Sequence, residues 1–298
     1  MAELPELTIL TGQMNQGLKG RTVREVEARQ PKCLNVPMEE FRSRLVGKTF
    51  GACRLVGKWI VCEMKPGEVF LLNLGMGGDL RFRPAWAPDD TANAAANPPS
   101  DSPSNAVSDP RVKALEKYQL RMEFADGAAL TCRFWWFGHT HVMAAENLAT
   151  HRETSVIGPL ATGPDAGLSW FRELVGTSRG NVKSLLMDQK RISGLGNAYM
   201  HDILFTARVH PLRQCRSLRP DEVEALFEAI PYVTNRAIEL GGFETDLYGK
   251  GGYAVSGDRL CIIGYRDGKP CPICGTAIEK IKTGSTSGFV CPSCQKVN

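Results

Sequence analysis

Cys271-Pro-Ile-Cys274 and Cys291-Pro-Ser-Cys294, with sixteen residues between the two pairs, are the tightest constraint this chain places on its own fold. Two residues between paired cysteines let both thiolates face one metal from a single turn, and two such knuckles supply the four ligands of a tetrahedral zinc ribbon. Gly268, Gly275, Gly284 and Gly288 mark the turns of the hairpin between and around them. The segment of about forty residues beyond Leu260 is too short to bury a core of its own, so a bound Zn2+ must supply much of its folding free energy. Disulfides or a redox dithiol are the competing uses of four cysteines, and ribbon spacing favours zinc over both.

The rest of the composition is that of a soluble protein, with 43% hydrophobic and 23% charged residues. No apolar run approaches the ~20 residues that span a bilayer, and MAELPELTIL lacks the basic flank and cleavage site of a secretory signal. A cytoplasmic protein without membrane contact is expected. Cys33, Cys53, Cys62, Cys132, Cys215 and Cys261 have no framework spacing, as suits reduced thiols. A net charge of +4 permits nucleic-acid binding through a local basic surface without arguing for it.

Leu7, Leu10, Met14 and Leu18 have helical spacing and stop at Gly20, which predicts an opening amphipathic helix. Short β-branched or aromatic segments follow at Thr22–Glu27, Thr49–Leu55, Trp59–Met64, Glu68–Leu74, Leu120–Phe124 and Ala129–Phe134. They predict an α+β multidomain chain whose first unit, residues 1–150, is an antiparallel β-sandwich with flanking helices. Residues 84–110 are Ala, Asn, Asp, Pro and Ser with almost no large apolar side chains, and read as a disordered insertion in a hairpin. Beyond residue 150 the periodicity becomes helical over Leu168–Val175, Val182–Leu186, Ala198–Phe205 and Glu222–Leu240. A helical unit over 151–260 and a ribbon over 261–298 complete the expected organisation. No internal repeat is visible.

Three separated stretches agree on a relationship. The N-terminus Ala2-Glu3-Leu4-Pro5-Glu6, the segment LLMDQKRISGLGNAYMHDILFTARVHP and the terminal ribbon occur in the order found in the formamidopyrimidine/endonuclease VIII family of DNA glycosylases, which the chain resembles over nearly its whole length. Gly194-Leu195-Gly196-Asn197 followed by His210-Pro211 resembles that family's helix–two-turn–helix, and Leu74-Gly75-Met76-Gly77-Gly78 its loop carrying a methionine wedge. Independently of the family, glycines just before a helix let backbone N–H groups and the positive end of its dipole approach a phosphate, with Asn197 as a further donor. A tight turn between packed helices is the plainer reading of the same glycines.

The resemblance implies a catalytic amine on the residue exposed by removal of Met1, which here is Ala2 where the family has proline. A terminal amine has a pKa of about 8 against about 10.4 for lysine, so its neutral, nucleophilic fraction near pH 7 is over a hundredfold larger. Glu3 matches the family's acid/base carboxylate, Glu6 a second acid read as a structural partner, and Lys58 the hairpin lysine that contacts a phosphate beside the lesion. Met76 and Phe137 match residues that fill the gap left by an extruded base. Two positions depart from the pattern: Trp135-Trp136-Phe137 stands where the family has Arg-Arg-Phe, and Thr286 where its zinc hairpin carries a phosphate-binding arginine. The expected function is therefore a bifunctional glycosylase and abasic-site lyase of altered lesion specificity, a monomer acting on duplex DNA with damaged bases or abasic sites. A damage-binding relative without turnover is the alternative, and an RNA- or ribosome-associated zinc protein fits the catalytic-type N-terminus least well.

Overall fold

Alternation of apolar and polar side chains along the short strands buries one face of each, and two such faces meet to form the first core. In this computed structural model, which describes residues 2–84, 118–134, 136–243, 247 and 260–297, helix α1 (Leu4–Gly17) leads into β1 (Val23–Ala28), α2 (Met38–Leu45), β2 (Thr49–Val56), β3 (Trp59–Lys65), β4 (Glu68–Asn73), β5 (Asp79–Arg83), β6 (Leu120–Phe124), β7 (Ala129–Arg133) and β8 (His139–Ala144). Two four-stranded antiparallel sheets result, in the orders β1-β6-β7-β5 and β2-β3-β4-β8. Phe50 packs edge-on against Phe70 at 6.3 Å and Phe124 at 5.7 Å, and Leu7, Leu10, Met14 and Leu18 of α1 close the same core. The expected sandwich with flanking helices is what forms.

Three elements escaped the sequence reading, and one pairing differs from it. Helix α2 buries only Phe41 and Leu45, too short an apolar stripe to read. β5 follows directly on the glycine-rich loop and alternates through Leu80 and Phe82, while β8 hides its alternation behind histidines. Most of the expected insertion at 84–110 lies outside the described residues, but the strands flanking it do not form a hairpin. β5 and β6 sit on opposite sides of β7 and pair with it rather than with each other.

β3 is apolar on both faces for a physical reason. Ile60, Cys62 and Met64 face the sandwich core, whereas Trp59 and Val61 join Val69 and Leu71 in a small outer cluster. That cluster abuts His141 and His151, with the Trp59 ring 5.0 Å and 5.4 Å from the two imidazoles. Burial pushes the His141 imidazolium down to about 4 and lowers His151 as well, so both rings are neutral at pH 7.

The second core belongs to helices α3 (Leu168–Thr177), α4 (Val182–Met187), α5 (Asn197–Thr206) and α6 (Pro220–Glu239). Asn181 caps α4 by accepting from Ser184 N–H, and Pro220 with Asp221 and Glu222 opens α6 in the manner its sequence indicates. The ribbon follows, its hairpin formed by β9 (Glu279–Thr283) and β10 (Thr286–Val290). Side chains of α4 and α5 lock it to the helical unit. The Asp202 carboxylate accepts from the backbone N–H groups of Ile262, Ile263 and Gly264 at 2.8–2.9 Å, and buried Lys183 donates to Thr283 Oγ1, Thr286 Oγ1 and the Ser287 carbonyl at 2.6–2.9 Å. Burial brings the Lys183 ammonium down to about 8, yet three acceptors are the full complement its three protons can use.

Candidate active site

The N-terminus of α1 is pinned where the first core meets the second. Leu4 N–H donates to the Gly194 carbonyl at 2.9 Å, and the Glu6 carboxylate gathers Glu3 N–H at 2.9 Å, Phe243 N–H at 3.1 Å and the Tyr199 hydroxyl. Glu6 thus ties α1 to α5 and to the end of α6, the structural use expected of it. Glu3, one turn back, is buried. Its Oε1 accepts from Ala198 N–H at 2.9 Å, in the first turn of α5, while Oε2 is buried with no hydrogen-bond partner. Burial raises the Glu3 pKa above the ordinary carboxylate range, opposed by the Lys58 charge and the Ala198 hydrogen bond. Lys58, in the β2–β3 turn, is lowered by burial and held up by the charges of Glu3 and Glu6.

Glu3 and Lys58 converge on Gly196. A Cβ built there would stand 2.2 Å from Glu3 Oε1 and 2.6 Å from Lys58 Nζ, so only glycine leaves room for both groups. Gly194, at φ +89°, makes the turn that presents its carbonyl to Leu4. Gly196 is therefore crowded by the chain's own carboxylate and ammonium and Gly194 by Leu160 and Leu4, and the Ala198 N–H is given to Glu3. Asn197 is half-buried, its amide nitrogen 3.5 Å from His201 Nε2 and its Oδ1 buried without a partner.

Above this corner opens a pocket of about 370 Å³ lined by Ala2, Lys58, Asn73, Leu74, Gly75, Met76 and Phe137. Two of its lining residues are apolar and exposed, Met76 at 41% and Phe137 at 71%, and the neighbouring Trp136 is 61% accessible, unusual values for such side chains in one place. Met76 and Trp136 exchange backbone hydrogen bonds at 2.8 and 3.3 Å, and the Trp136 and Phe137 rings meet edge to face at 6.2 Å. Trp136, expected only as a position lacking arginine, stands beside the pocket through these contacts with Met76 and Phe137. Trp135 lies outside the described residues. Thr286, on the tip of the zinc hairpin, is not among the residues that line the pocket. It accepts from Lys183, as described, and its hydroxyl approaches the Thr283 carbonyl at 3.4 Å.

The four ribbon cysteines meet as their spacing requires. Sγ–Sγ separations of 3.9 Å (Cys271–Cys294), 3.4 Å (Cys274–Cys291) and 3.5 Å (Cys274–Cys294) match the roughly 3.8 Å that ~2.3 Å Zn–S bonds impose at tetrahedral angles.

Comparison with known proteins places the whole arrangement. Residues 1–134 match the formamidopyrimidine-DNA glycosylase N-terminal domain, 157–248 the formamidopyrimidine-DNA glycosylase H2TH domain, and 268–297 the zinc finger found in FPG and IleRS. A formamidopyrimidine-DNA glycosylase of Listeria innocua is 30% identical over 302 residues, covering 99% of this chain and all of the relative. The chain belongs to the formamidopyrimidine-DNA glycosylase family. Its relative from Gluconobacter oxydans is 29% identical over 99% of this chain. The fold of Lactococcus lactis Fpg, solved with DNA containing an abasic site, superposes with a TM-score of 0.80 at 25% identity over 99% of both chains. Within this family the cysteine quartet is a structural zinc site. Because metal binding of about 10–16 kcal/mol stands in for a core in such ribbons, the purified protein should hold one zinc per chain through extensive dialysis. Cys291→Ser should lose that zinc and open residues 261–297 to protease, as read by elemental analysis and limited proteolysis.

Proposed function

We propose that this chain is a base-excision enzyme that removes a damaged base from duplex DNA and cleaves the resulting abasic site through the α-amine of Ala2, freed when Met1 is removed. The observation that carries the reading is the convergence of Glu3 and Lys58 on Gly196 beneath a pocket that Ala2 itself lines. Lactococcus lactis Fpg, with the same fold, is solved on abasic-site DNA, which supports the same partner here. Residues 1–150 would carry the chemistry, 151–260 would grip the duplex, and 261–298 would brace the grip.

The neutral amine attacks C1′ of the extruded nucleotide. As the N–C1′ bond forms, the bond to the base breaks, and its electron pair leaves with the base together with a proton from the attacking nitrogen. The C1′–O4′ bond then opens as the nitrogen lone pair forms the C=N bond, and O4′ takes the Glu3 proton that burial helps to retain. The Glu3 carboxylate next removes a 2′ proton from the iminium, and the 3′ phosphate departs with the electron pair of the broken C3′–O bond. Lys58 places its ammonium beside the reacting sugar and its phosphate. Met76, Phe137 and Trp136 are apolar, presented at the rim, and suited to the space the extruded base vacates. Asn197 supports the duplex backbone near α5, and Thr286 serves the hairpin, through Lys183, more than the phosphate.

The alternative, a damage-binding protein without turnover, is favoured by one observation: no arginine stands at Trp136 or Thr286. Borohydride treatment with an oligonucleotide duplex carrying one abasic site separates the two. A covalent adduct is expected, together with strand cleavage in its absence. Tight binding with neither adduct nor cleavage would establish the binder instead.

A further inference from the structure

A third group of chemistry-bearing side chains lies on the outer face of the β2-β3-β4-β8 sheet, apart from the pocket and the ribbon. His141, in β8, presents Nδ1 2.8 Å from Nε2 of His151, in the turn that follows that strand. Glu153 Oε2 stands 3.1 Å from the same His151 nitrogen and 3.9 Å from the His141 nitrogen. Metal–ligand bonds of about 2.0–2.1 Å at tetrahedral angles put donor atoms about 3.3 Å apart, and these three distances bracket that value. The other nitrogen of His151 lies 2.9 Å from Thr154 Oγ1, a hydroxyl able to accept from that nitrogen once it carries the ring proton. Thr154 N–H also approaches that nitrogen at 3.3 Å, so loading a metal shifts the ring proton to Nδ1 and turns the hydroxyl into its acceptor.

A hydrogen bond between two neutral imidazoles needs no third group. Here a carboxylate converges on the same point, and it gives the set a net negative charge that a divalent cation neutralises and a shared proton between the rings does not. We propose that His141, His151 and Glu153 form a second metal site, distinct from the cysteine ribbon, that takes a borderline divalent ion such as Zn2+ with water completing the coordination. Two imidazoles and one carboxylate suit zinc better than the hard cations Mg2+ or Ca2+. Glu153 is 43% exposed, which leaves an entry path, while Trp59 walls the inner side. Trp59 also follows Lys58 in the chain, so a metal here stiffens the support of the β2–β3 turn from behind.

The test uses the untagged full-length protein with its ribbon zinc in place, titrated with Zn2+ and followed by native mass spectrometry and equilibrium dialysis. A second zinc per chain is expected at free metal of order micromolar. Glu153→Gln, at an exposed position where folding is not at stake, should weaken that second equivalent by at least about tenfold. His141→Gln should do the same, with the ribbon equivalent unchanged in both variants. A wild-type chain that stays at one zinc, or a second zinc that either variant retains at full affinity, overturns the proposal.

Discussion

A chain whose terminal amine is blocked, by acetylation or by retention of the initiator methionine, should bind abasic-site DNA almost as well as the processed chain and yet give neither a borohydride-trapped adduct nor a strand break. The loss should be complete rather than partial, because covalent catalysis splits the reaction into steps that no other group on the path can start. Ala2 is half-buried and lines the pocket. A terminal amine, with a reference pKa of about 8, is neutral far more often near pH 7 than a lysine. Among the described residues that line the pocket the rival nucleophile is Lys58, whose ammonium is destabilised by burial but stabilised by Glu3 and Glu6. An adduct that persists on the blocked chain and disappears in a Lys58→Arg variant would transfer the role to that lysine. Ala2→Pro, which restores a secondary amine, should raise lyase turnover, since its iminium keeps a positive charge without holding a proton.

Gly196→Ala should lower turnover on abasic DNA by about a hundredfold with little change in DNA affinity. Gly196 sits at φ −149°, ψ −170°, extended backbone open to alanine, so the penalty is purely one of space. The new methyl would lie 2.2 Å from Glu3 Oε1 and 2.6 Å from Lys58 Nζ, and both must retreat. Glu3→Gln should cost a similar factor or more by removing the proton carrier, about a hundredfold to ten-thousandfold for a general acid or base. Single-turnover rates and affinities, measured separately, check both. If Gly196→Ala instead weakens binding and spares the chemical step, the glycine serves a phosphate after all.

The residues that the chain order and spacing could reveal were those whose use is local. Four cysteines at knuckle spacing announced the ribbon, and α1, α4, α5 and α6 could be read from apolar periodicity and helix starts. Contacts made across the fold left no such trace. Nothing near Gly196 in the sequence points to Glu3, nearly two hundred residues away, so the crowding of its backbone by that carboxylate could not be read beside the expected phosphate role. Trp136 read as an arginine lost, because exposure of a tryptophan is a property of the rim and not of its neighbours in sequence. His141 and His151 were invisible for the opposite reason: the strand of His141 is short with its alternation masked by polar side chains, and His151 lies beyond it after a single 3-10 turn segment.

Helix α5 holds the reacting end and the ribbon at once. Ala198, in its first turn, supports Glu3, and Asp202, about 6 Å further along the axis, fastens the segment that leads into the ribbon. His201 stands between, its Nδ1 3.4 Å from Phe289 N–H in β10. The contacts of Glu3 and of the segment leading into the ribbon are thus little more than one helical turn apart on the same helix. On the proposed mechanism, loss of the ribbon metal would therefore loosen the helix that supports Glu3 as well as the ribbon itself.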